Sequence, residues 1–244
     1  MAFVTNNTLA QNTVENLVQR DHNKYHFGFI LSVNQMNFSL KLNESAIGLV
    51  TPNPDVYEFN NVDSVKFLGV NNQAVVGFTV GIVGNLRLAP QLDLRFIPSL
   101  SFGERKLNYT FTRYKLGDET IDLPIQKSIR STHIDLPLYF KYKSKRANKN
   151  IRGYILGGVK YTFDLAANSK KNLEANDEKL ILAKHDLLIE VGGGFDFYFP
   201  YFKFGVELKM SYGLNDLLVS DPNIYTYGID RLNSKLFQIS FTFE

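Results

Sequence analysis

Four polar residues near the middle of the chain have the types that could form a hydrolytic site. His133 and Asp135 lie two residues apart, and Ser99 and Ser101 form a second pair with the same spacing. An imidazole that takes the proton of a serine hydroxyl, with a carboxylate to orient the ring, could attack a lipid or a peptide. The same spacing also fits polar side chains that line the interior of a β-structure. Because sequence spacing alone does not place a triad, we assign no catalytic residue and predict that the protein is not an enzyme.

Other chemical motifs are missing from the sequence. It has no cysteine and no HExxH spacing, so thiol chemistry, disulfides and the common zinc motifs are excluded. The glycines at 157–158 and 192–194 lie inside strand patterns, where glycine marks a bend or makes room for a neighbour. A net charge of +3 gives no argument for nucleic acid. We therefore predict no metal, no cofactor, no small-molecule substrate and no nucleic-acid partner.

A period of two dominates the hydrophobic pattern and predicts β-strands. Each strand has one bulky apolar face, rich in the chain's 20 Phe and 13 Tyr, and one face that carries charges and glycines. The alternation changes parity near Asn34 and Gln35; a β-bulge or a tight turn would explain this, and we favour the bulge because it leaves an even number of strands. The pattern covers residues 27–42, 76–88, 92–102, 133–142, 151–165, 186–199, 201–212 and 236–243.

The connections between these strands alternate in length. The long ones lie near 43–73, 113–128, 167–182 and 215–232, and the short ones near 89–91, 145–149 and Pro200. Short periplasmic turns and long outer loops are typical of outer-membrane proteins, so we predict an all-β, eight-stranded antiparallel transmembrane β-barrel in the bacterial outer membrane. The sequence contains no run of 18 apolar residues, so it predicts no transmembrane helix. A soluble β-sandwich would show the same alternation but would leave the loop layout and the aromatic content unexplained.

The inward faces of such a barrel would carry nearly equal numbers of opposite charges. Eight strands enclose an interior just wide enough for side chains. We therefore predict a lumen that is closed by an ion-pair network and that cannot conduct a protein, since unpaired charges would be costly there. The cations are Arg87, Arg95, Lys141, Arg152, Lys160, Lys203 and Lys209, and the anions are Asp93, Asp135, Asp164, Glu190, Asp196 and Glu207.

The two ends of the chain have features of their own. Residues 1–23 are predicted to be an N-terminal tail and residues 24–244 the barrel domain. Thr8-Leu9-Ala10-Gln11 resembles the end of a secretion leader with a mature start near Gln11, although a disordered tail explains the segment as well. The aromatic run 195–204 predicts a girdle at the periplasmic interface, because its single Lys203 does not suit a nucleic-acid platform.

Four segments resemble a known family. They are STHIDLPLYFKYKSKR (131–146), GYILGGVKYTFDLA (153–166), GFDFYFPYFKFGVELKMSYG (194–213) and the ending ISFTFE (239–244). Together they are similar to the PorT family, small outer-membrane barrels of the type IX secretion system in Bacteroidetes. The resemblance covers about 77–244 and includes the final Phe-Glu, where many outer-membrane barrels have a terminal aromatic residue.

This resemblance implies a role in protein export across the outer membrane, and in gliding motility where the organism glides. It implies no catalytic residue. Combined with the narrow barrel, it predicts an accessory or scaffold subunit, not the conduit. The expected partners are outer-membrane lipid and other secretion proteins of unknown identity, with residues 43–73 and 215–232 as candidate contact loops. The alternatives are a generic small outer-membrane barrel with a structural or adhesive role, and a barrel enzyme.

Overall fold

The computed structural model describes residues 14–19, 23–54, 59, 62–115, 120–147, 149–167, 180, 182–219 and 223–244. Short 3-10 turns, among them Glu44–Ala46 and Leu165–Ala167, lie in the connections between β-strands. Within these ranges, no helix has the length and apolarity needed to cross a bilayer. The strands are β1 (Tyr25–Leu42), β2 (Val50–Pro52), β3 (Ser64–Ala89), β4 (Leu92–Phe96), β5 (Ser99–Tyr114), β6 (Ile121–Lys143), β7 (Ile151–Asp164), β8 (His185–Tyr198), β9 (Lys203–Gly213) and β10 (Ile229–Phe243).

The strands form a closed antiparallel ring. β4 and β5 follow one another between β3 and β6, so they act as one barrel strand that is interrupted at Ile97 and Pro98. β2 only extends the sheet beside the start of β3. β10 pairs with both β9 and β1, which joins the last strand to the first. The ring therefore has eight strands, and the predicted eight-stranded antiparallel barrel is confirmed.

The parity change in β1 has a different cause from the one predicted. β1 pairs with β3 in unbroken register from Tyr25 to Met36, so neither a bulge nor a turn lies at Asn34 and Gln35. The apolar side chains change face instead: Val33 is exposed on the outside, whereas Met36 and Phe38 are buried inside the ring. The sequence pattern therefore records a change in what surrounds the barrel, not an irregularity of the strand.

The strands are also longer than predicted at one end. β3 has 26 residues and β6 has 23, whereas a membrane-crossing strand needs about 10. Most of the predicted 113–128 loop is strand, and the connection between β5 and β6 spans only 115–120. The predicted 43–73 loop likewise ends where β3 begins at Ser64. The sequence pattern does not predict these extensions as strand, because their apolar side chains point inward and their polar side chains point outward.

A band of large apolar side chains covers the outside of the ring next to the short turns. Such a surface is too large and continuous to face water, and a lipid bilayer covers it in barrels of this kind. Short turns lie on the periplasmic side of these barrels, so the long strand extensions are extracellular. The band includes Phe27, Phe29, Leu31, Val33, Phe78, Ile82, Phe140, Ile155, Val191, Phe195, Leu208 and Met210.

Above this band the barrel has an apolar interior and a polar exterior. Gln73, Asn108 and Gln126 form a hydrogen-bonded row on the outer surface of β3, β5 and β6. We call the apolar interior the extracellular cap. It consists of Phe38, Ala46, Phe59, Val65, Phe67, Val70, Leu107, Tyr109, Phe111, Ile125, Ile129, Leu180, Leu182, Leu217, Ile224, Tyr225, Ile229 and Leu232.

Candidate functional site

The lumen inside the lipid-facing band is filled by charged side chains that pair across the ring. Alternation along β4 and β9 points Arg95 and Glu207 inward, where the two side chains form an ion pair and both are 0% exposed. The other guanidinium nitrogen of Arg95 lies 3.1 Å from Glu244, which also pairs with Lys203 at 2.6 Å. Each of these four charges has a partner of opposite sign, and this pairing offsets the desolvation cost of burying them.

A second group of charges lies on β7, β8 and β9. Lys160 is 2.8 Å from Glu190, and the hydroxyl of Tyr139 donates to the other oxygen of the same carboxylate. Lys209 lies between Glu190, at 4.0 Å, and Glu207, at 3.5 Å. The two groups therefore share Glu207, and the network continues across the lumen.

Most of the predicted lumen charges are where the alternation places them. The structure buries twelve of the thirteen, all except Arg87, which is only partly buried at the periplasmic mouth. Lys143, which pairs with Asp93 at 2.7 Å, and Glu244 were missed, although continuing the alternation by a single position would have found both. Arg105 and Asp186 were missed too; Arg105 lies beyond the predicted end of its strand.

Two tyrosines add volume between the charges. The hydroxyl of Tyr154 donates to Glu207, and the ammonium group of Lys141 lies 3.4 Å from the centre of the Tyr154 ring. Lys141 also pairs with Asp196 at 2.9 Å. A cavity of about 20 Å³ beside Arg105 has room for roughly one water molecule. Side chains thus fill the lumen across its width.

The predicted Ser/His/Asp residues come together, but not in the order that nucleophilic catalysis needs. Ser101 donates its hydroxyl directly to Asp135 at 2.5 Å, and Thr162 donates to the other carboxylate oxygen. The Nε2 atom of His133 lies 3.4 Å from Arg105 and 3.9 Å from Asp164. Ser99 lies opposite Asp135 in the β5–β6 register. These contacts describe a structural polar network.

At the level of His133, Arg105 lies next to the extracellular cap. Its guanidinium group stacks over the ring of Phe38 at 4.4 Å and donates to Ser131. Arg105 therefore marks the boundary between the ionic lumen and the apolar cap. Among the described residues, no group of three or more His, Asp or Glu side chains is placed to hold a metal ion.

Aromatic rings cover the outside of the barrel near the short turns. Phe204 contacts Phe241 and Phe243, with ring centres 6.1 and 5.2 Å apart, and Phe243 stacks on Phe29 at 4.8 Å. Tyr198 is an exception within the predicted aromatic run, since it is buried inside the periplasmic mouth. Rings on this surface lie where a membrane interface favours them.

A closed antiparallel ring with an apolar lipid-facing band and a packed polar lumen defines an outer-membrane β-barrel. The chain belongs to the family described as outer membrane protein beta-barrel domain, whose model matches residues 9–219. Its location is the bacterial outer membrane. The crystal structure of the outer membrane protein OprG from Pseudomonas aeruginosa is similar at 10% identity and a TM-score of 0.37, over 91% of this chain and 94% of that one. No curated protein matches the sequence significantly.

Proposed function

We propose that this barrel is a non-enzymatic accessory or scaffold subunit of the type IX protein secretion machinery, and of gliding where the organism glides. The observation that carries the proposal is the filled lumen. A barrel that cannot conduct a protein can serve transport only through contacts with partners. The resemblance of residues 131–146, 153–166, 194–213 and 239–244 to the PorT family points to type IX secretion as the setting.

The charge network argues against a role as conduit. Arg95 and Glu207 are wholly buried in the middle of the barrel, and Glu244 and Lys203 close the periplasmic side. Opening a path would separate several buried ion pairs, and leaving one partner of such a pair unpaired costs about 3–5 kcal/mol. A barrel of eight strands also has no room for a polypeptide beside its own side chains.

The arrangement of His133 supports a non-enzymatic role. The hydroxyl of Ser101 is engaged by Asp135, so it is not positioned as a nucleophile with an imidazole base. Replacement of His133 by Ala is therefore expected to leave the cellular role intact. Loss of that role on this substitution would favour a barrel enzyme.

The extracellular end offers a surface for partner contact. The described parts of residues 43–73 and 215–232 pack against the extracellular cap and leave several large apolar side chains exposed, among them Ile47, Leu49 and Val50. Leu49 and Tyr227 line the same small cavity, so the two segments form one continuous surface. Exposed apolar groups that are grouped in this way mark interaction sites more often than scattered ones do.

A structural or adhesive role without a secretion partner is the second candidate. The same exposed apolar surface favours it, because an adhesive contact at the cell surface would use the same residues. Membership of the outer-membrane barrel family fits this role as well as it fits secretion.

An in-frame deletion in the source organism, followed by mass spectrometry of culture fluid and periplasm, tests the proposal. We expect cargo proteins with secretion-specific C-terminal domains to leave the medium and accumulate in the periplasm, while other barrels stay at normal levels. An unchanged secreted set would overturn the secretion role and leave the structural or adhesive one.

Complementation with point variants connects the phenotype to the exposed surface. Leu49→Asp introduces a charge into the apolar surface and is expected to restore secretion poorly. Gln126→Asp adds the same charge to the polar outside of the same end, away from both candidate segments, and is expected to restore secretion fully. Equal rescue by both variants would move the partner contact away from Leu49.

A further inference from the structure

The extracellular half of β6 has a neighbouring strand on one side only. β5 pairs with it without a break from Ile121 to Asp135. β7 pairs with β6 only from His133 onwards, so within the described part of the chain no strand lies on the β7 side of 121–132. We call this side the open edge of β6. It lies above the lipid-facing band, and an unpaired edge presents a row of main-chain donors and acceptors.

The carboxylate of Asp164 ends the ladder between β6 and β7. It accepts a hydrogen bond from the backbone N–H of Thr132 at 3.4 Å, in the place of a further β7 carbonyl group. It also accepts from the backbone N–H of Ala166 at 2.9 Å, at the start of the 3-10 turn Leu165–Ala167. This turn takes the chain out of the ladder. The open edge therefore begins at a defined side-chain contact.

The contact of Thr132 also gives the direction of the other main-chain groups. Backbone groups of alternate residues point to the same side of a strand, so the even-numbered residues of β6 point theirs to the open edge. Pro124 fits this parity, since its missing N–H faces the side where no ladder needs it. Gln126, Ser128 and Arg130 each present an N–H and a carbonyl group, and in the described ranges these have no backbone partner on the open edge.

The side chains of β6 define what can pair with the open edge. Gln126, Ser128 and Arg130 are exposed on the outer face, whereas Ile125 and Ile129 point inward and belong to the extracellular cap. Side chains of neighbouring strands share their faces. A strand added to the open edge would therefore place apolar residues beside the two isoleucines and polar residues outside.

The charge on the outer face favours an acidic neighbour. Arg130 lies opposite Glu104 of β5, but the carboxylate of Glu104 accepts from the hydroxyl of Ser128. Among the described residues, Arg130 forms no ion pair. Its guanidinium group is therefore available to a strand on its other side, and opposite charges that face each other across a ladder stabilise it.

A second copy of the barrel in the same membrane does not fit the open edge. Both copies have the same orientation, so β6 runs toward the periplasm in each of them. An antiparallel ladder would need one inverted copy. Two copies related by a twofold axis along the membrane normal would cross at a wide angle, because barrel strands are tilted by about 35–45°. The open edge suits an extended segment of a different protein.

We propose that residues 125–131 form a strand-addition site for an extended, amphipathic segment of an extracellular partner protein, with an acidic residue opposite Arg130. The main chain supplies the affinity, and the alternating side chains supply the selectivity. The site is separate from the apolar surface around Leu49. It rests on the proposed partner-dependent role only for the biological source of the segment. Pairing is measured on the purified barrel, so failure of the site and failure of the secretion role are distinguishable.

Binding of a synthetic strand to the full chain in detergent micelles tests the site. The probe is the fluorescently labelled, amidated peptide VEVTVTV. In an antiparallel ladder its valines match the inner face, and its glutamate falls opposite Arg130. Methyl groups on the nitrogens of the two middle valines, which point away from β6, limit self-association of the peptide. We expect saturable binding by fluorescence anisotropy and slower amide hydrogen exchange at Gln126, Ser128 and Arg130.

Two substitutions of Ser128 separate main-chain pairing from side-chain contact. Ser128→Pro removes the central N–H of the open edge without removing a hydrogen bond to β5, and it should weaken binding about tenfold. Ser128→Thr keeps both the N–H and the hydroxyl and should bind as the unmodified chain does. Gln126→Asp also keeps the main chain and should bind normally. Heat-modifiable migration on a gel checks that each variant is folded.

Matched peptides test the direction of pairing and the charge. Methyl groups on the threonine nitrogens, which face β6, should weaken binding about tenfold relative to the valine-methylated probe. Lysine in place of glutamate should weaken binding to the unmodified chain but not to Arg130→Gln. No saturable binding, equal binding of the two methylated peptides, or unchanged binding by Ser128→Pro would overturn the proposal. A dimer of the peptide-free barrel that Ser128→Pro abolishes would also overturn it, since a second copy would then fill the edge.

Discussion

Lys203 and Glu244 are joined by three contacts at the periplasmic end of the barrel. Their backbones exchange two hydrogen bonds, of 2.7 and 2.9 Å, and their side chains form an ion pair of 2.6 Å inside the lumen. The second carboxylate oxygen of Glu244 accepts from Arg95 on β4. A single side chain therefore links the start of β9, the end of β10 and the opposite wall, next to the place where β10 closes on β1.

Replacing Glu244 by Gln is expected to destabilise the barrel strongly. The substitution keeps the shape of the side chain but leaves Arg95 and Lys203 without the carboxylate that compensates them. Breaking a buried ion pair in this way costs about 3–5 kcal/mol. The free energy of unfolding in urea, measured on protein refolded into lipid vesicles, gives the loss directly.

The exposed pair Lys41–Asp230 provides the matched control. Its two side chains are 73% and 52% exposed although the atoms are only 2.7 Å apart. Solvent screens such a pair, so Asp230→Asn is expected to leave the unfolding free energy unchanged within error. Equal losses for the two variants would contradict the role assigned to burial.

Lysine substitutions along β1 should locate the edge of the membrane. Leu31 faces lipid, and a lysine there is expected to cost about 2–4 kcal/mol if it lies near the bilayer midplane, falling to about 0–1 kcal/mol near the interface. Gln35 lies on the same outer face, four residues further on, at the edge of the apolar band beside Val76 and Phe237, so Gln35→Lys should cost only about 0–1 kcal/mol. Unfolding of both variants in the same vesicles measures the gradient. Equal costs at the two positions would place the boundary elsewhere.

Within the membrane, the sequence contains nearly all the information needed to place the side chains. Lipid on one side and a narrow lumen on the other require strict alternation, so the inward positions of Lys160, Glu190 and Glu207 follow from the pattern. The pairing partners do not follow from it. Arg95 and Glu244 are 149 positions apart and meet only because the ring closes. The spacing of residues along one strand does not predict which strands face each other in the closed ring.

Above the membrane the same pattern has the opposite meaning. Phe38, Leu107 and Tyr109 alternate with polar residues just as lipid-facing residues do, yet they point inward. A period of two shows that a strand has two different faces, but it does not say which face meets lipid, water or core. The parity change at Asn34 and Gln35 was the one visible sign of the transition, and a bulge was the wrong interpretation of it.

Phe111→Ala should loosen the extracellular cap without opening the membrane-embedded ring. Phe111 is fully buried, and its ring contacts those of Phe59, Phe67 and Tyr225. Truncating a buried phenylalanine costs about 3–5 kcal/mol. We expect faster amide hydrogen exchange in 104–114 and 121–130, with little change in β8 and β9. Thr110→Ala, on the other face of the same strand, should leave the exchange of the cap unchanged. Uniform acceleration over the whole barrel would show that the cap and the ring unfold as one unit.

The filled lumen predicts that the purified protein carries no stable ion current across a planar bilayer. Tyr139 and Tyr154 are large, uncharged side chains buried in the lumen, and each also donates to a buried carboxylate. The double variant Tyr139→Ala, Tyr154→Ala should therefore open a water path and give step-like currents. The charged side chains that remain are too few to fill the cross-section of the lumen. The double replacement by Phe removes both hydroxyl groups but keeps the rings, so it should stay closed. Heat-modifiable migration on a gel confirms folding of both variants before recording. Stable currents from the unmodified barrel would contradict a lumen closed by packing and would support a role as conduit. Equal currents from the double Ala variant and the double Phe variant would also contradict closure by packing.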